Sequence, residues 1–288
     1  MLLINSILMT CILAVFITDE VVYANSFDGK LGSTYPEWSS SKISFEGRAL
    51  TTGQGTLPAE KVTNVESPRG KVQFLGEFGG PRIDPTAKTR VRQSVRLSLN
   101  DLKPHDLMTV EFDLLILKSW DGNSPMYGPD RWKLEVEGGP TLLDTTFSNN
   151  PKTDVDKSLQ DYPGPGSKPF AGAVSIKTLG YQFFGDSIYR LTYPFPHQGK
   201  SLTLIFSSDL FEGKGTGDES WGLDNVVVTA KTTKSAFLPS ARKRRQPSRS
   251  ADRQGLLPAL SHPFFPGELT ARAHGRGQSR LNALREIH

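Results

Sequence analysis

Two loops in this sequence carry oxygen-rich side chains at spacings that suit a hard metal ion. The first, residues 119–130, places Asp121 and Asn123 on either side of a glycine and returns to Asp130. The second, residues 212–219, is acidic and glycine-rich and includes Asp218. Ca²⁺ takes about six to eight oxygens from carboxylates, amides and backbone carbonyls, so these four residues are candidate Ca²⁺ ligands. The alternative is a simple turn, because Asp, Gly and Asn all tolerate the left-handed backbone.

Asp28 and Asp224 form a second candidate metal pair. Asp28 lies near the predicted start of the fold, and Asp224 interrupts an otherwise apolar final strand. The first and last strands of a sandwich are often neighbours, so the two carboxylates could share a structural cation. The alternative is that backbone N–H groups stabilise the carboxylate of Asp224.

Four aromatic side chains fall on predicted loops, where their rings could stack on a sugar: Trp38, Trp120, Tyr127 and Tyr181. A flat ring offers a large apolar contact area with few rotatable bonds. The alternative is that the tryptophans fill the core of a sandwich.

The acids also allow a catalytic interpretation. Asp121, Asp130, Asp218 and Glu219 could supply the two carboxylates that glycoside hydrolysis needs about 5–10 Å apart. Their spacing in the sequence does not indicate such a pair. A glycan-active hydrolase or lyase is therefore an alternative to a binding function.

The chain between residues 25 and 230 reads as about eight to ten short strands separated by turns. The segment Val91–Leu99 alternates apolar and polar side chains, which predicts a strand with one solvated face. The second half of residues 109–120 is apolar on both sides, which predicts a central strand covered on both faces. We find no amphipathic helix pattern and no internal repeat. The predicted fold class is all-β: a two-layer antiparallel jelly-roll sandwich spanning residues 25–230.

Residues 1–24 predict a signal peptide. Residues 2–17 are largely apolar, and Val22 and Ala24 fit the positions before a cleavage site. The alternative is an uncleaved anchor, although the apolar run is short for a membrane span. Cys11 is the only cysteine, so a mature chain would have no disulfide and could gain stability from Ca²⁺ instead. We expect a secreted or extracytoplasmic protein without a transmembrane span in the mature chain.

Residues 231–288 predict a basic, disordered tail. Residues 241–288 contain 10 Lys and Arg against 3 Asp and Glu, which leaves 24 basic and 27 acidic residues in the first 240. The basic character therefore belongs to the tail, and nucleic-acid binding is not predicted for the folded domain. A basic arm for anionic surfaces is the alternative interpretation of the tail.

Two segments carry a resemblance to a known class of domain. The pair Phe27-Asp28 followed by Trp38, and the closing segment of residues 221–226, are similar to the beginning and end of MAM-type and related bacterial extracellular jelly rolls. The middle of the chain, including residues 119–123 and 186–191, resembles uncharacterised exported bacterial proteins. The cysteines of MAM domains are absent. The resemblance implies a concanavalin-like sandwich, adhesion or carbohydrate recognition, and structural cations.

These observations predict a secreted, non-catalytic binding module, stabilised by Ca²⁺, whose partner is an extracellular glycan or another cell-surface polymer. A structural envelope or matrix protein is an alternative, alongside the hydrolase or lyase.

Overall fold

The computed structural model describes residues 11–40, 44–45, 61–79, 91–211 and 215–239. These residues form thirteen β-strands and one 3₁₀ turn, Gly215–Gly217. Every strand pairing among them is antiparallel. The prediction of an all-β, two-layer antiparallel sandwich is confirmed.

The first sheet has seven strands, which are β1 (Cys11–Asn25), β4 (Asn64–Glu66), β5 (Gln73–Phe78), β7 (Leu107–Lys118), β10 (Ser175–Ile176), β11 (Asp186–Pro196) and β13 (Glu219–Pro239). Their order is β10-β11-β7-β13-β5-β4, and β1 also pairs with β13. The central strand β7 therefore lies between β11 and the last strand of the fold.

The second sheet has six strands, which are β2 (Trp38–Ser40), β3 (Ser44–Phe45), β6 (Val91–Leu99), β8 (Arg131–Val136), β9 (Thr141–Thr146) and β12 (Leu202–Leu210). Their order is β2-β6-β12-β8-β9, and β3 also pairs with β6. In β8 and β12, alternate side chains are buried, as expected for strands with one face on the core and one toward solvent.

Aromatic rings fill the space between the two sheets. Trp132 of β8 and Trp221 of β13 meet edge to face, with ring centroids 5.8 Å apart. Trp38 of β2 packs on Phe206 of β12 at 5.6 Å. These rings are fully buried, and each stabilises the fold by roughly 3 kcal/mol through the apolar surface it removes from water.

The central strand β7 is covered on both faces in its second half, as the sequence predicts. Leu114 and Ile116 face the main core, whereas Leu115 and Leu117 belong to a second, smaller core on the outer face of the sheet. Leu179, Tyr181 and Phe74 complete this outer core. The segment around Leu179 therefore folds over the seven-stranded sheet like a cover.

The strand β1 falls within the predicted signal segment. Its residues pair with β13 from Cys11 opposite Pro239 to Asn25 opposite Val226. The final strand accordingly runs on to Pro239, past the expected boundary at residue 230. Cleavage after Ala24 and disorder of the tail stay predictions, and residues 1–10 and 240–288 lie outside the described residues. Within the described ranges, no helix has the length and hydropathy needed to cross a membrane.

Candidate functional site

Two loops meet where β7 ends. The backbone N–H of Asn123 donates to the carbonyl of Leu159 at 2.7 Å, and that of Asp130 donates to Gly122 at 2.8 Å. Gly122 has a φ of 59°, and a Cβ at this position would lie 2.3 Å from the carbonyl oxygen of Leu159. The loop of residues 119–130 is thereby fixed against the long loop that follows β9, and the glycine is required by that close approach.

The loop that follows β9 is held by buried polar side chains. Asn149 donates to the carbonyls of Ile116 and Lys118 at 3.0 and 3.2 Å, at the end of β7. Gln160 accepts from the backbone N–H of Ser148 at 3.0 Å. Buried polar side chains thus hold this loop beside the apolar core, and each of them has to be hydrogen-bonded for the loop to be stable.

Asp121, Asp130 and Glu219 form a buried acidic cluster at this end. Their relative exposures are 5%, 0% and 3%. One ligand oxygen from each lies within 4.8 Å of the others. Oxygens on opposite sides of a Ca²⁺ ion, with bonds of about 2.3–2.6 Å, are about 5 Å apart at most, so this spacing fits a shared ion.

Backbone groups aim the carboxylate of Asp130 into the cluster. Its Oδ2 accepts from the N–H of Asp121 at 2.5 Å, and its Oδ1 accepts from the N–H of Phe211 at 3.4 Å. The side chain of Asn150 donates to Asp121 Oδ1 at 2.5 Å. Asp121 and Asp130 belong to one loop and Glu219 begins β13, so the proximity of Glu219 to the two aspartates depends on the completed fold.

Burial and the neighbouring charge shift the pKa of one acid of this cluster. Burial raises the pKa of Asp130 well above its usual value, and the negative charge of Asp121 raises it further. Hydrogen bonds from the N–H groups of Asp121 and Phe211 and with the Glu219 side chain act in the opposite direction. Three buried carboxylates at this spacing are stable only if a proton or a cation neutralises part of their charge.

The structure brings together Asp121 and Asp130 among the predicted metal ligands, but it gives Asn123 and Asp218 other contacts. Asn123 donates to Asp161 at 2.8 Å and accepts from Thr146 at 2.8 Å, so it joins two loops. Asp218 accepts from the hydroxyl of Ser119 at 2.6 Å.

Glu219 takes the place in the cluster that the sequence assigns to Asp218. Glu219 begins β13 and alternates with Trp221 and Leu223, all three of which are buried. Side chains two residues apart on a strand share a face, so the inward direction of Glu219 follows from the apolar residues after it. The alternation of β13 was the signal that could have identified this residue.

The second predicted pair, Asp28 and Asp224, lies on a different surface. Asp224 is directly opposite Asp113 across β13 and β7. Burial raises the pKa of Asp224 to about 7, with smaller contributions from the charges of Asp28 and Asp113. Arg190 neutralises Asp113 through two contacts of 2.9 and 3.0 Å. Asp28 therefore acts on Asp224 electrostatically, but the pair is not part of the three-acid grouping found in the described residues.

The predicted sugar-stacking aromatics divide into two groups. Trp38 and Trp120 are both 0% exposed, so neither ring face is open to a sugar. Their indole N–H groups donate to Tyr23 at 2.6 Å and to Ser220 at 2.9 Å, which explains how such rings are buried without an unsatisfied donor. Tyr127 is half-buried on its loop.

Tyr181 is nearly buried but lines an open surface cavity of about 310 Å³. The cavity is formed by the cover segment, residues 177–185, and is lined mainly by Arg69, Lys177, Tyr181, Gln182, Phe183 and Phe184. Phe183 is 66% exposed, which is unusual for a large apolar side chain. The sequence around this ring has neither helical nor strand periodicity, so no sequence pattern predicts its exposure.

The cover segment is tied to the sheet beneath it. Asp186 Oδ1 accepts from the N–H groups of Thr178 and Leu179 at 2.9 and 3.1 Å. The hydroxyl of Tyr181 donates to Glu77 at 2.8 Å. Burial, followed by the charge of Glu77, raises the pKa of Tyr181, so this hydroxyl remains a donor at neutral pH. The exposed ring of Phe183 is therefore presented by a well-anchored segment.

A larger cavity, of about 370 Å³, lies on the outer face of the six-stranded sheet. Its charged side chains form ion pairs, which are Arg92–Asp209 at 3.1 Å, Arg131–Asp144 at 2.7 Å and Lys133–Glu135 at 2.8 Å. Because these charges neutralise one another and no aromatic ring from the described part of the chain lines this cavity, it is a weaker candidate for a binding site than the smaller one.

A histidine pair lies at the opposite end of β7. His105 Nε2 and His197 Nδ1 are 2.7 Å apart, and the two rings are stacked. The outer nitrogens contact the carbonyls of Lys103 at 2.6 Å and Ser201 at 3.1 Å. Three hydrogen bonds along this chain need three N–H protons, one more than two neutral imidazoles carry. Two neutral imidazoles can therefore make only two of these three hydrogen bonds at a time.

Comparisons with known proteins identify no family for this chain. No family model and no curated protein matches the sequence. Among solved structures, the chain is similar to the CBM22-1 xylan-binding domain of Paenibacillus barcinonensis Xyn10C, with 13% identity, a TM-score of 0.28, and coverage of 77% of this chain and 97% of that one. It is also similar to CBM27-1 of Caldicellulosiruptor saccharolyticus, solved with mannohexaose, with 13% identity, a TM-score of 0.34, and coverage of 73% and 96%. At these values, the likeness carries no weight for the function.

Proposed function

We propose that this protein is a non-catalytic binding module that recognises a glycan outside the cell and is stabilised by Ca²⁺ at Asp121, Asp130 and Glu219. The observation that carries the binding function is the exposed ring of Phe183 at the open cavity of the cover segment. The predicted signal segment, residues 1–24, supports an extracytoplasmic location.

The cavity has the groups that glycan recognition needs. An exposed phenyl ring can stack on the apolar C–H face of a sugar, and polar side chains beside it can bind hydroxyl groups. Gln182 supplies an amide with both donor and acceptor atoms, and Arg69 and Lys177 supply N–H donors. The hydrogen bonds from the cover segment to Asp186 keep these groups in place, which lowers the entropic cost of binding.

The acids support a structural role rather than a catalytic one. Asp121, Asp130 and Glu219 are buried, and none of them lines the cavity. A glycosidase needs its two carboxylates on either side of a bound sugar. Acids whose oxygens accept backbone N–H groups inside the protein are better suited to hold an ion between loops.

A glycan array tests the binding function. The protein should bind a subset of glycans in Ca²⁺, and Phe183→Ala should reduce that binding about tenfold by removing the stacking surface. Met126→Ala is the matched control, because Met126 is also a half-exposed apolar side chain but does not line the cavity.

The outcomes separate the candidate functions. No binding to any glycan would contradict the proposal and favour a structural envelope or matrix protein. Release of sugar products that Asp130→Asn abolishes would favour the hydrolase or lyase instead.

A further inference from the structure

Among the described residues, the side chains that line the cavity of the cover segment include two cations and no acid. Arg69 and Lys177 both line it. The ammonium of Lys152 lies 5.6 Å from the ring centroid of Phe184, on the same segment. The charge at this surface is therefore positive, although the first 240 residues together carry more acidic than basic residues.

Two acids that contact the cover segment, Asp186 and Glu77, already form other contacts. Asp186 accepts two backbone N–H groups of the segment. Glu77 lies 2.6 Å from the ammonium of Lys118 and accepts from Tyr181. Neither carboxylate has to neutralise Arg69 or Lys177.

Two glycines let the cations lie close to the segment. A Cβ on Gly180 would be 2.7 Å from Cγ of Arg69, and a Cβ on Gly185 would be 2.8 Å from Cγ of Lys177. Both glycines have positive φ angles, 89° and 97°, which disfavour other residues. Arg69 Nη1 also donates to the carbonyl of Thr178 at 3.2 Å, which fixes the guanidinium beside the segment.

We infer that this cavity binds an acidic glycan, one that contains uronic acid residues, through Arg69 and Lys177. The inference rests on the proposed glycan-binding function and adds the substrate class. The guanidinium and the ammonium pair with the uronate carboxylate, while Phe183 stacks on the sugar ring and Gln182 binds hydroxyl groups. Because the charged side chains are exposed, the contribution of each to affinity is modest and depends on salt.

Isothermal titration calorimetry with trigalacturonate and galactotriose tests this inference, because the two probes differ chiefly in their carboxylates. The protein should bind trigalacturonate at least tenfold more tightly than galactotriose, and added NaCl should reduce this difference in affinity. The double variant Arg69→Gln/Lys177→Gln removes both charges but keeps a polar side chain at each position. It should reduce trigalacturonate affinity about tenfold, at about two- to fivefold for each exposed charge. The control Lys30→Gln/Lys200→Gln removes the same charge from exposed lysines that do not line the cavity.

Three results would overturn the inference. Equal affinity for the two probes would mean that the carboxylates are not recognised, while the glycan-binding function would stand. An equal loss in the control would mean that net charge, not this cavity, drives binding. Binding to neither probe by a protein that is positive on the glycan array would exclude uronate specificity and leave the proposed function intact, whereas a negative array would remove both.

Discussion

Replacing Asp130 by Asn separates a metal site from a cluster held by a shared proton. The amide is close in size to the carboxylate, and its oxygen can still accept the N–H of Asp121. The NH₂ group of the amide cannot accept the N–H of Phe211, as the second carboxylate oxygen of Asp130 does. The substitution therefore removes one negative charge from the cluster and one acceptor from the loop.

The sign of the effect depends on whether Ca²⁺ is bound. Two ionised carboxylates whose ligand oxygens lie within 4.8 Å of each other repel by about 3.5 kcal/mol or more at an effective dielectric constant of 20. Loss of the acceptor costs about 1 kcal/mol. Because the raised pKa of Asp130 already relieves part of the repulsion, we expect the metal-free variant to be about 1–2 kcal/mol more stable than the natural chain. A Ca²⁺ concentration of about 100 times Kd stabilises the natural chain by about 2.7 kcal/mol.

Thermal unfolding in Ca²⁺ and in EDTA is the assay. The natural chain should gain about 5–11 °C in Tm from Ca²⁺, given about 2–4 °C per kcal/mol for a domain of this size. Asp130→Asn should gain nothing, and its Tm in EDTA should exceed that of the natural chain. The control Asp154→Asn, at an exposed position, should behave like the natural chain. The reasoning is refuted if the natural chain has the same Tm in both conditions, because a proton would then neutralise the cluster.

Three further predictions follow from the same structure. Glu219→Gln should remove the Ca²⁺-dependent gain in Tm, whereas Asp218→Asn should retain most of it; equal losses would contradict the assignment of the ligand to Glu219. Asp224 has a folded pKa of about 7 against 3.8 in the unfolded chain, so its contribution to stability is present below about pH 4 and lost as pH rises through about 7. Asp224→Asn should therefore increase the free energy of unfolding at pH 8 by about 1 kcal/mol relative to the natural chain, after allowing for solvent screening, and should have little effect at pH 5. Chemical denaturation at the two pH values measures this. An unchanged pH dependence of stability in the variant would count against the prediction. Burial, and then the charge of His105, lower the pKa of His197 below 6.5. The contribution of His197 to folding stability is therefore present above about pH 6.5 and lost in acid. In chemical denaturation, His197→Gln should lose less stability in acid than the natural chain, and an equally steep loss would argue against the pairing.

Local pattern predicts the strands β6 and β7 and the faces that they bury. The alternation in Val91–Leu99 and the apolar run after residue 109 follow directly from how side chains point in a sheet. The burial of Trp38 and Trp120 was harder to predict, because their indole N–H groups find partners at Tyr23 and Ser220, which are distant in sequence. From local sequence alone, a ring that carries a polar atom is expected on an exposed loop, but it can be buried once such a partner is present.

The acidic cluster was predicted in part. Asp121 and Asp130 belong to one loop, and a nine-residue separation with a turn between them favours contact. The contribution of Glu219 depends on which face of β13 it occupies, and that of Asn150 depends on how the following loop folds back. Such contacts are set by tertiary packing and have no short-range signature in the sequence.

Residue types alone do not predict which rings of the cover segment are buried and which are exposed. Its apolar side chains Leu179 and Tyr181 pack on the outer face of the sheet, while Phe183 between them and the next strand is exposed. The separation of buried from exposed rings comes from positive φ angles at Phe183 and Phe184, 54° and 71°, which residue types alone do not indicate.

Calorimetric titration of EDTA-treated protein with Ca²⁺ tests the central claim most directly, namely that buried carboxylates at one end of the sandwich hold an ion. We predict saturable Ca²⁺ binding to the natural chain that is lost in Asp130→Asn and retained in Asp154→Asn. Absence of binding to the natural chain, or equal binding to Asp130→Asn, would contradict it.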